Sequence, residues 1–383
     1  MKGVLIAGAA IAAPAVAAAS QPNIQPAIAC SNSTIPKPSV FGTEILSVAA
    51  NTTRDFEGIT GNDVCWVTIT LTHPGAGDRV NNWVAVPLNG WNGIFQGIGG
   101  GGYAAGSVES MAEQTALGYA TVTTDAGLNT FYSSEDASPW ALRSPGVVNQ
   151  DLLLNFARRS LHDMTVLGKA VTESFYNCSI NYSYWNGCST GGRQGMVMAQ
   201  YYPEDYDGIL ADAPAIQWND FTLAQQWPYT VENNDGYILS PCEEDAAVAA
   251  VVDACDAIDG LVDGIISAPA QCNFTIHSVV GKQFDCNGTT ATWTPELADV
   301  VDKIWQGPRT PEGEFLWYGL PKGANLTSLA PNTNSSVAVP FAISDSWIRG
   351  FVAKHLSFDT TNISYQQFAG ALAAISDLTF TCG

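Results

Sequence analysis

Apolar and polar residues alternate through CWVTITLTHPG (65–75) before a Pro-Gly break, the pattern of a half-buried strand entering a turn. WVAVPL (83–88) and GIFQGIGGGGYAAG (93–106) are strand-like in turn, and GYATVTTDAG (118–127) predicts another strand running into a loop. From about 151 to 177, apolar residues in LLLNFARRSLHDMTVLGKAVTESFY recur at helical spacing. SYWNG (183–187) returns to strand. GRQGMVMAQYYPEDYDG then predicts a helix ending near Gly208, and ILADAPA (209–215) the next strand. Strands alternating with helices predict an α/β fold with a largely parallel sheet covered on both faces.

From about Gln217 the pattern breaks down into Trp-rich and Asn-rich segments with scattered Gly and Pro, which suits an inserted lid better than more sheet. The first residues, MKGVLIAGAAIAAPAVAAAS, read as a secretory signal over 1–19, with one early lysine, a run of small and apolar residues and A-x-A cleavage options. No later stretch is long and apolar enough to span a bilayer, so the expectation is a secreted, extracellular protein. Nine cysteines then suggest disulfides, and the odd number leaves at least one thiol over. Nine N-x-S/T sequons, at Asn32, Asn51, Asn177, Asn181, Asn273, Asn287, Asn325, Asn334 and Asn362, suit a glycoprotein. A formal charge of −21 with only 15 Lys plus Arg argues against nucleic acid or an anionic membrane as partner.

The chemistry concentrates at NGCSTGGR (186–193), where Gly187, Ser189 and Gly191 are spaced as G-x-S-x-G. A glycine-rich turn with an idle serine is the bland reading. Against it, Ser189 follows a predicted strand and opens a predicted helix, the setting in which a strained elbow exposes the hydroxyl. Four consecutive glycines, Gly99 to Gly102, end an earlier strand and allow backbone to approach a tetrahedral intermediate closely. That loop is no phosphate cradle, because no G-K-S/T follows it.

WNGCSTGGRQGMVMAQYYPEDYDGILADAPA resembles the tannase and feruloyl esterase family of secreted hydrolases. THPG, LNGWNGIFQGIGGGGYAAG and CDAIDGLVDGIISAP match it in the same order, and the likeness runs from about Cys30 to about residue 375. It implies an α/β-hydrolase core over 20–216, a large lid over 217–372 and a return to the core begun at 373–383. It also implies Ser189 as nucleophile, with the Thr190 N–H and the glycine loop at Gly101 as oxyanion donors. The substrates would be small-molecule or polysaccharide-linked esters of phenolic acids, feruloyl or galloyl, hydrolysed through an acyl-enzyme. The family's H-G-x-x-D acid and H-C histidine motifs have no match here, so the last core strands, the acid and the base are expected to be missing and activity impaired. Of the two later histidines, His277 and His355 both read as surface or packing residues. A non-catalytic, truncated product that binds phenolic esters or plant polysaccharide without hydrolysis is the alternative. A serine peptidase or cutinase-like lipase shares G-x-S-x-G but leaves the lid and the next motif unexplained.

That motif is CDAIDGLVDGII (255–266), with Asp256, Asp259 and Asp263 interleaved with Gly260 and Gly264. On its residues alone it is a solvated acidic turn, and it lacks the EF-hand spacing. The resemblance implies instead a structural Ca²⁺ held by the three Asp side chains and the carbonyls of Leu261 and Ile265. It likewise implies Cys255–Cys272 around that loop, with Cys30–Cys65 as the N-terminal pair. The pairing of Cys178, Cys188, Cys242, Cys286 and Cys382 stays open. Trp218, Trp227 and Tyr229 are aromatics for packing, or for stacking on a phenolic ring.

Overall fold

The computed structural model describes residues 23–130, 133–331 and 338–375, with side chains to 372. The leader at 1–19, Asn334, Cys382 and most of the expected return to the core, 376–383, lie outside the described residues.

Seven strands form the central sheet: β1 (Glu44–Thr53), β2 (Val64–Thr72), β3 (Val80–Pro87), β4 (Ile94–Ile98), β5 (Ala120–Thr124), β6 (Tyr182–Cys188) and β7 (Gly208–Asp212). Their order is β1-β2-β3-β5-β4-β6-β7. The sheet is mixed, which corrects the largely parallel expectation. β1–β2, β2–β3 and β3–β5 pair antiparallel, while β5–β4, β4–β6 and β6–β7 pair parallel. The reason is connection length: the short link from Thr72 through His73-Pro74-Gly75 to β3 can close only an antiparallel pair, because a parallel one needs a long crossover.

Three helices cover the parallel half. α1 (Val108–Ala116) starts at a Ser107 N-cap whose side chain accepts from the Ser110 N–H. α2 (Ser160–Tyr176) buries Leu161, Met164, Leu167, Val171 and Phe175, an i, i+3, i+4 stripe turned to the sheet. It is entered through Gln150–Leu154 and a π-helical turn, Asn155–Arg159, so the long helix expected at 151–177 is present but widened near its start. α3 (Thr190–Tyr201) stops well short of Gly208. Pro203 accounts for the early stop: it lacks an N–H and pushes Tyr202 out of helical geometry, to φ −137°.

The lid carries the helices Trp218–Ala224, Trp227–Asp235, Pro241–Cys255, Pro295–Gln306, Ala342–Trp347 and Tyr365–Ile375 and a small hairpin, Gln283–Cys286 with Thr289–Thr292. Its core is continuous with part of the sheet half, since one buried cluster joins Trp218, Trp227, Val301 and Trp347 to Tyr103, Ala126, Trp140 and Phe156. Among the described residues no helix is long and apolar enough to cross a membrane.

Candidate active site

Register brings the two glycine-bearing loops together. β4 and β6 run parallel with Gly97 opposite Trp185 and Ile98 opposite Asn186, so Gly99, just past the end of β4, lies beside Gly187 near the end of β6. The Gly99 N–H donates to the Asn186 carbonyl at 3.0 Å and the Gly191 N–H to the Gly100 carbonyl at 2.9 Å. The contact leaves no room for side chains. A Cβ on Gly99 would lie 2.6 Å from the Gly191 Cα, and one on Gly187 2.5 Å from the Gly191 carbonyl carbon. Gly101 differs, with nothing within 4 Å of the same position.

Ser189 sits at the head of α3 with φ 58° and ψ −116°, a backbone conformation that costs a non-glycine residue about 1–3 kcal/mol. Its N–H donates to the Asp212 carbonyl at 3.1 Å, and its carbonyl accepts from the Arg193 and Ala215 N–H groups, each at 3.0 Å. The turn is thus clamped from the ends of β6, β7 and α3, and the serine side chain remains exposed. Across the gap, Thr190 Oγ1 donates to the Gly102 carbonyl at 2.7 Å, and Gln194 joins the Gly100 N–H (3.1 Å) to the Ala105 carbonyl (2.9 Å). Among the described residues, the backbone N–H groups of Thr190 and Gly101 have no hydrogen-bond acceptor. Beneath the elbow Arg193 is fully buried, donating to the Phe156 and Ala157 carbonyls at 3.2 Å with its guanidinium 4.5 Å from the Phe156 ring centre and 5.3 Å from that of Trp218.

None of the four histidines hydrogen-bonds to the Ser189 hydroxyl. His277 pairs with Asp299 at 3.3 Å, on the surface. His355 meets Ser357 Oγ at 3.2 Å. His162 pairs with Asp205 at 2.7 Å and stacks on Tyr202. His73, the histidine of the THPG turn, lies buried between Asp78 (2.6 Å) and Asp163 (3.0 Å). Burial works against its charge, but its hydrogen bonds to Asp163 and Asp78 outweigh it and raise its pKa to about 9. Asp78 also accepts from Asn155 at 2.8 Å and lies 3.7 Å from Arg159, so this cluster ties the His73 turn to the π-helical entry of α2. The sequence holds no local signal for it, because residues 73, 78, 155 and 163 converge only through the fold.

Ser189 thus sits at positive φ on a strand-to-helix turn beside a glycine loop, and sequence comparison supplies the chain's lineage. A family model for tannase and feruloyl esterase matches residues 65–364. The chain belongs to the tannase and feruloyl esterase family. A probable feruloyl esterase of Arthroderma benhamiae is 44% identical over 345 residues, covering 86% of this chain and 64% of that protein. The tannase of Aspergillus oryzae is 36% identical over 236 residues, 60% of this chain and 40% of the relative. The chain therefore spans less than two thirds of the length of these relatives. Among solved structures, a tannin acyl hydrolase from Aspergillus niger superposes with a TM-score of 0.79 at 25% identity, over 92% of this chain and 69% of the other.

Within this tannase-family fold, Cys30 is bonded to Cys65, Cys255 to Cys272 and Cys242 to Cys286, the last a pair that the sequence alone leaves open. Cys178 and Cys188 are free and exposed among the described residues. The acidic loop is closed on its own backbone. Asp256 accepts from the Asp263 and Gly264 N–H groups at 3.3 and 3.0 Å, Asp259 from Leu261 and Ser267 at 2.9 and 3.3 Å, and Asp263 from Ile265 at 3.1 Å. No group of three acidic, His or Cys side chains is gathered into a preformed metal cage among the described residues. The donors nonetheless fit a hard cation in kind: all are oxygens, no Lys or Arg lies within residues 255–266, and Leu261, Val262 and Ile265 turn their side chains to solvent. Trp218, Trp227 and Tyr229 are all buried, Trp218 edge-on to Tyr103, Phe156 and Trp347.

Proposed function

We propose that this chain is a carboxylic ester hydrolase for esters of phenolic acids, feruloyl or galloyl, acting through an acyl-enzyme on Ser189. The observation that carries the reading is the Ser189 elbow, held in a strained turn against the glycine loop with the Thr190 and Gly101 N–H groups uncommitted. Ser189 Oγ attacks the ester carbonyl, the two N–H groups hold the oxygen that turns negative, the alcohol leaves, and water then releases the phenolic acid. The names of the relatives support the substrate class. Because none of the four histidines within residues 1–383 bonds to Ser189, attack by these residues alone draws on solvent as its base. The turnover number is accordingly expected well below the ~10 s⁻¹ typical of enzymes and to climb with pH without a plateau near 7.

Release of ferulate and gallate from their methyl esters, in the wild type and in Ser189→Ala, tests this reading. Ser189-dependent release supports it. The placement of the histidines favours one second reading, binding of phenolic esters without turnover, which predicts saturable ester binding with release at the buffer rate. A protein that neither binds nor cleaves the esters defeats both.

Ca²⁺ is proposed as a structural ion of the 256–265 loop, held by Asp256, Asp259 and Asp263 with the Leu261 and Ile265 carbonyls; it would lock the loop and take no part in the reaction. The proposed location is extracellular. Three disulfides, the apolar leader at 1–19 and the exposure of Asn32, Asn51, Asn177, Asn181, Asn273, Asn287, Asn325 and Asn362 support secretion and glycosylation.

A further inference from the structure

Among the described residues, Arg193 is the one lysine or arginine that is fully buried. Taking a guanidinium out of water costs stability unless its donors are met, so its placement asks for a reason. The reason lies at its two ends. Its backbone N–H donates to the Ser189 carbonyl at 3.0 Å, and its side chain, like other long side chains on a helix, leans back towards the N-terminus of α3. There the guanidinium donates to the Phe156 and Ala157 carbonyls, each at 3.2 Å, and packs against the rings of Phe156 and Trp218.

Those two acceptors belong to the π-helical turn Asn155–Arg159. A π turn displaces carbonyls from the regular helical ladder, which lets them serve a donor from outside, and such turns gather at functional sites. This one is held firmly. The Asn155 carbonyl accepts from the Ser160 hydroxyl at 2.7 Å, and its Nδ2 donates to Asp78 at 2.8 Å and to the Ala126 carbonyl at 3.1 Å. The head of α3 is fixed by other means on its other sides. Thr190 and Gln194 tie it to the glycine loop, and Gly192 seats it on the end of β7, where a Cβ would lie 2.2 Å from the Asp212 carbonyl oxygen. Arg193 ties the same turn to a third wall, the entry of α2.

We propose that Arg193 is a positioning residue for Ser189: by holding the head of α3 on the π turn, it sets where the serine hydroxyl and the Thr190 N–H stand relative to a bound ester. Being fully buried, Arg193 touches no substrate itself. The inference rests on the ester-hydrolase reading of Ser189 and assigns part of its reactivity to a guanidinium one helical turn away.

The test follows labelling by an alkyl fluorophosphonate, read by intact mass, in the parent protein, Ser189→Ala, Arg193→Met and Arg193→Lys. In that step the Ser189 Oγ–P bond forms, the P–F bond breaks, fluoride leaves and the hydroxyl proton passes to solvent. The final extent of labelling counts competent sites, whereas its rate constant reports their alignment, and no release from the serine is needed. The parent should take one label at Ser189 and Ser189→Ala none. Arg193→Met should reach the parent's extent about a hundredfold more slowly, the scale of a misplacement near 1 Å, with far-UV circular dichroism unchanged. Arg193→Lys, which keeps one cationic donor for the two carbonyls, should restore about a tenth of the parent's rate constant and carries the test if Arg193→Met fails to fold. A parent that takes no label at Ser189 overturns the ester-hydrolase reading and this inference with it. A labelled parent with Arg193 variants that react at its rate constant, or that lose extent while keeping the rate constant, overturns this inference alone.

Discussion

Ser189 carries both the proposed chemistry and the strain, and the two are separable. With φ 58° and ψ −116°, replacement by glycine relieves backbone strain. Ser189→Gly is expected to raise stability in urea denaturation by about 1 kcal/mol while removing ester hydrolysis; unchanged or lower stability would show that the turn is unstrained. Ser189→Ala should lose hydrolysis without that gain. The neighbouring glycines are not equivalent. Gly99→Ala drives a Cβ to 2.6 Å from backbone and should cost more than about 2 kcal/mol, whereas Gly101→Ala meets nothing within 4 Å and should stay within about 0.5 kcal/mol of wild type. G-x-S-x-G was legible in the sequence because Gly187 and Gly191 sit where backbone meets backbone. The run of four glycines was legible as a loop, but which of them sterics demand was not, since that depends on what the other loop brings near. His73 was invisible for the same reason, as its partners lie 5 and 90 residues away.

Elements were legible where their period was strong. The stripe of α2 and the alternation of β2 predicted their own type, but strand direction and helix ends follow from connections and from Pro203, which periodicity does not report. Two helices bear a pH dependence. Glu232, at the end of Trp227–Asp235, is raised by burial to about 8 despite the Leu239 N–H bonded to it, and Glu244, on Pro241–Cys255, is raised by burial to about 7, with Asp245 and Glu243 adding repulsion. A carboxyl whose folded pKa lies above its unfolded value stabilises fully below the unfolded value, near 4.5, and loses that contribution as pH rises through the folded one. The melting temperature should therefore fall between about pH 5 and 8, and Glu232→Gln should flatten the fall. An equally steep fall in the variant would place its origin elsewhere. His73 acts in a higher window: raised from 6.5 to about 9, it stabilises fully below 6.5 and loses that contribution as pH rises through 9. His73→Gln should remove the part of the decline that lies above pH 7.

At the scale of the whole molecule, residues beyond Gln217 share one buried cluster with residues 103–156, and Trp218, Phe156 and Arg193 pack together beneath Ser189. If Ca²⁺ pins the 256–265 loop, EDTA should lower the melting temperature and added Ca²⁺ restore it, with an unchanged melt speaking against the ion. The change of texture near Gln217 is legible in the sequence, and the segments beyond it form mostly helices. Their merger with residues 103–156 is not legible, because a shared core is a property of the packed chain.

The most direct test of the central claim is mass spectrometry of the intact protein and its Ser189 peptide after incubation with methyl ferulate. The account predicts a feruloyl group on Ser189, captured when the reaction is quenched during turnover. An unmodified Ser189, with ferulate released as fast by the Ser189→Ala protein, would contradict it.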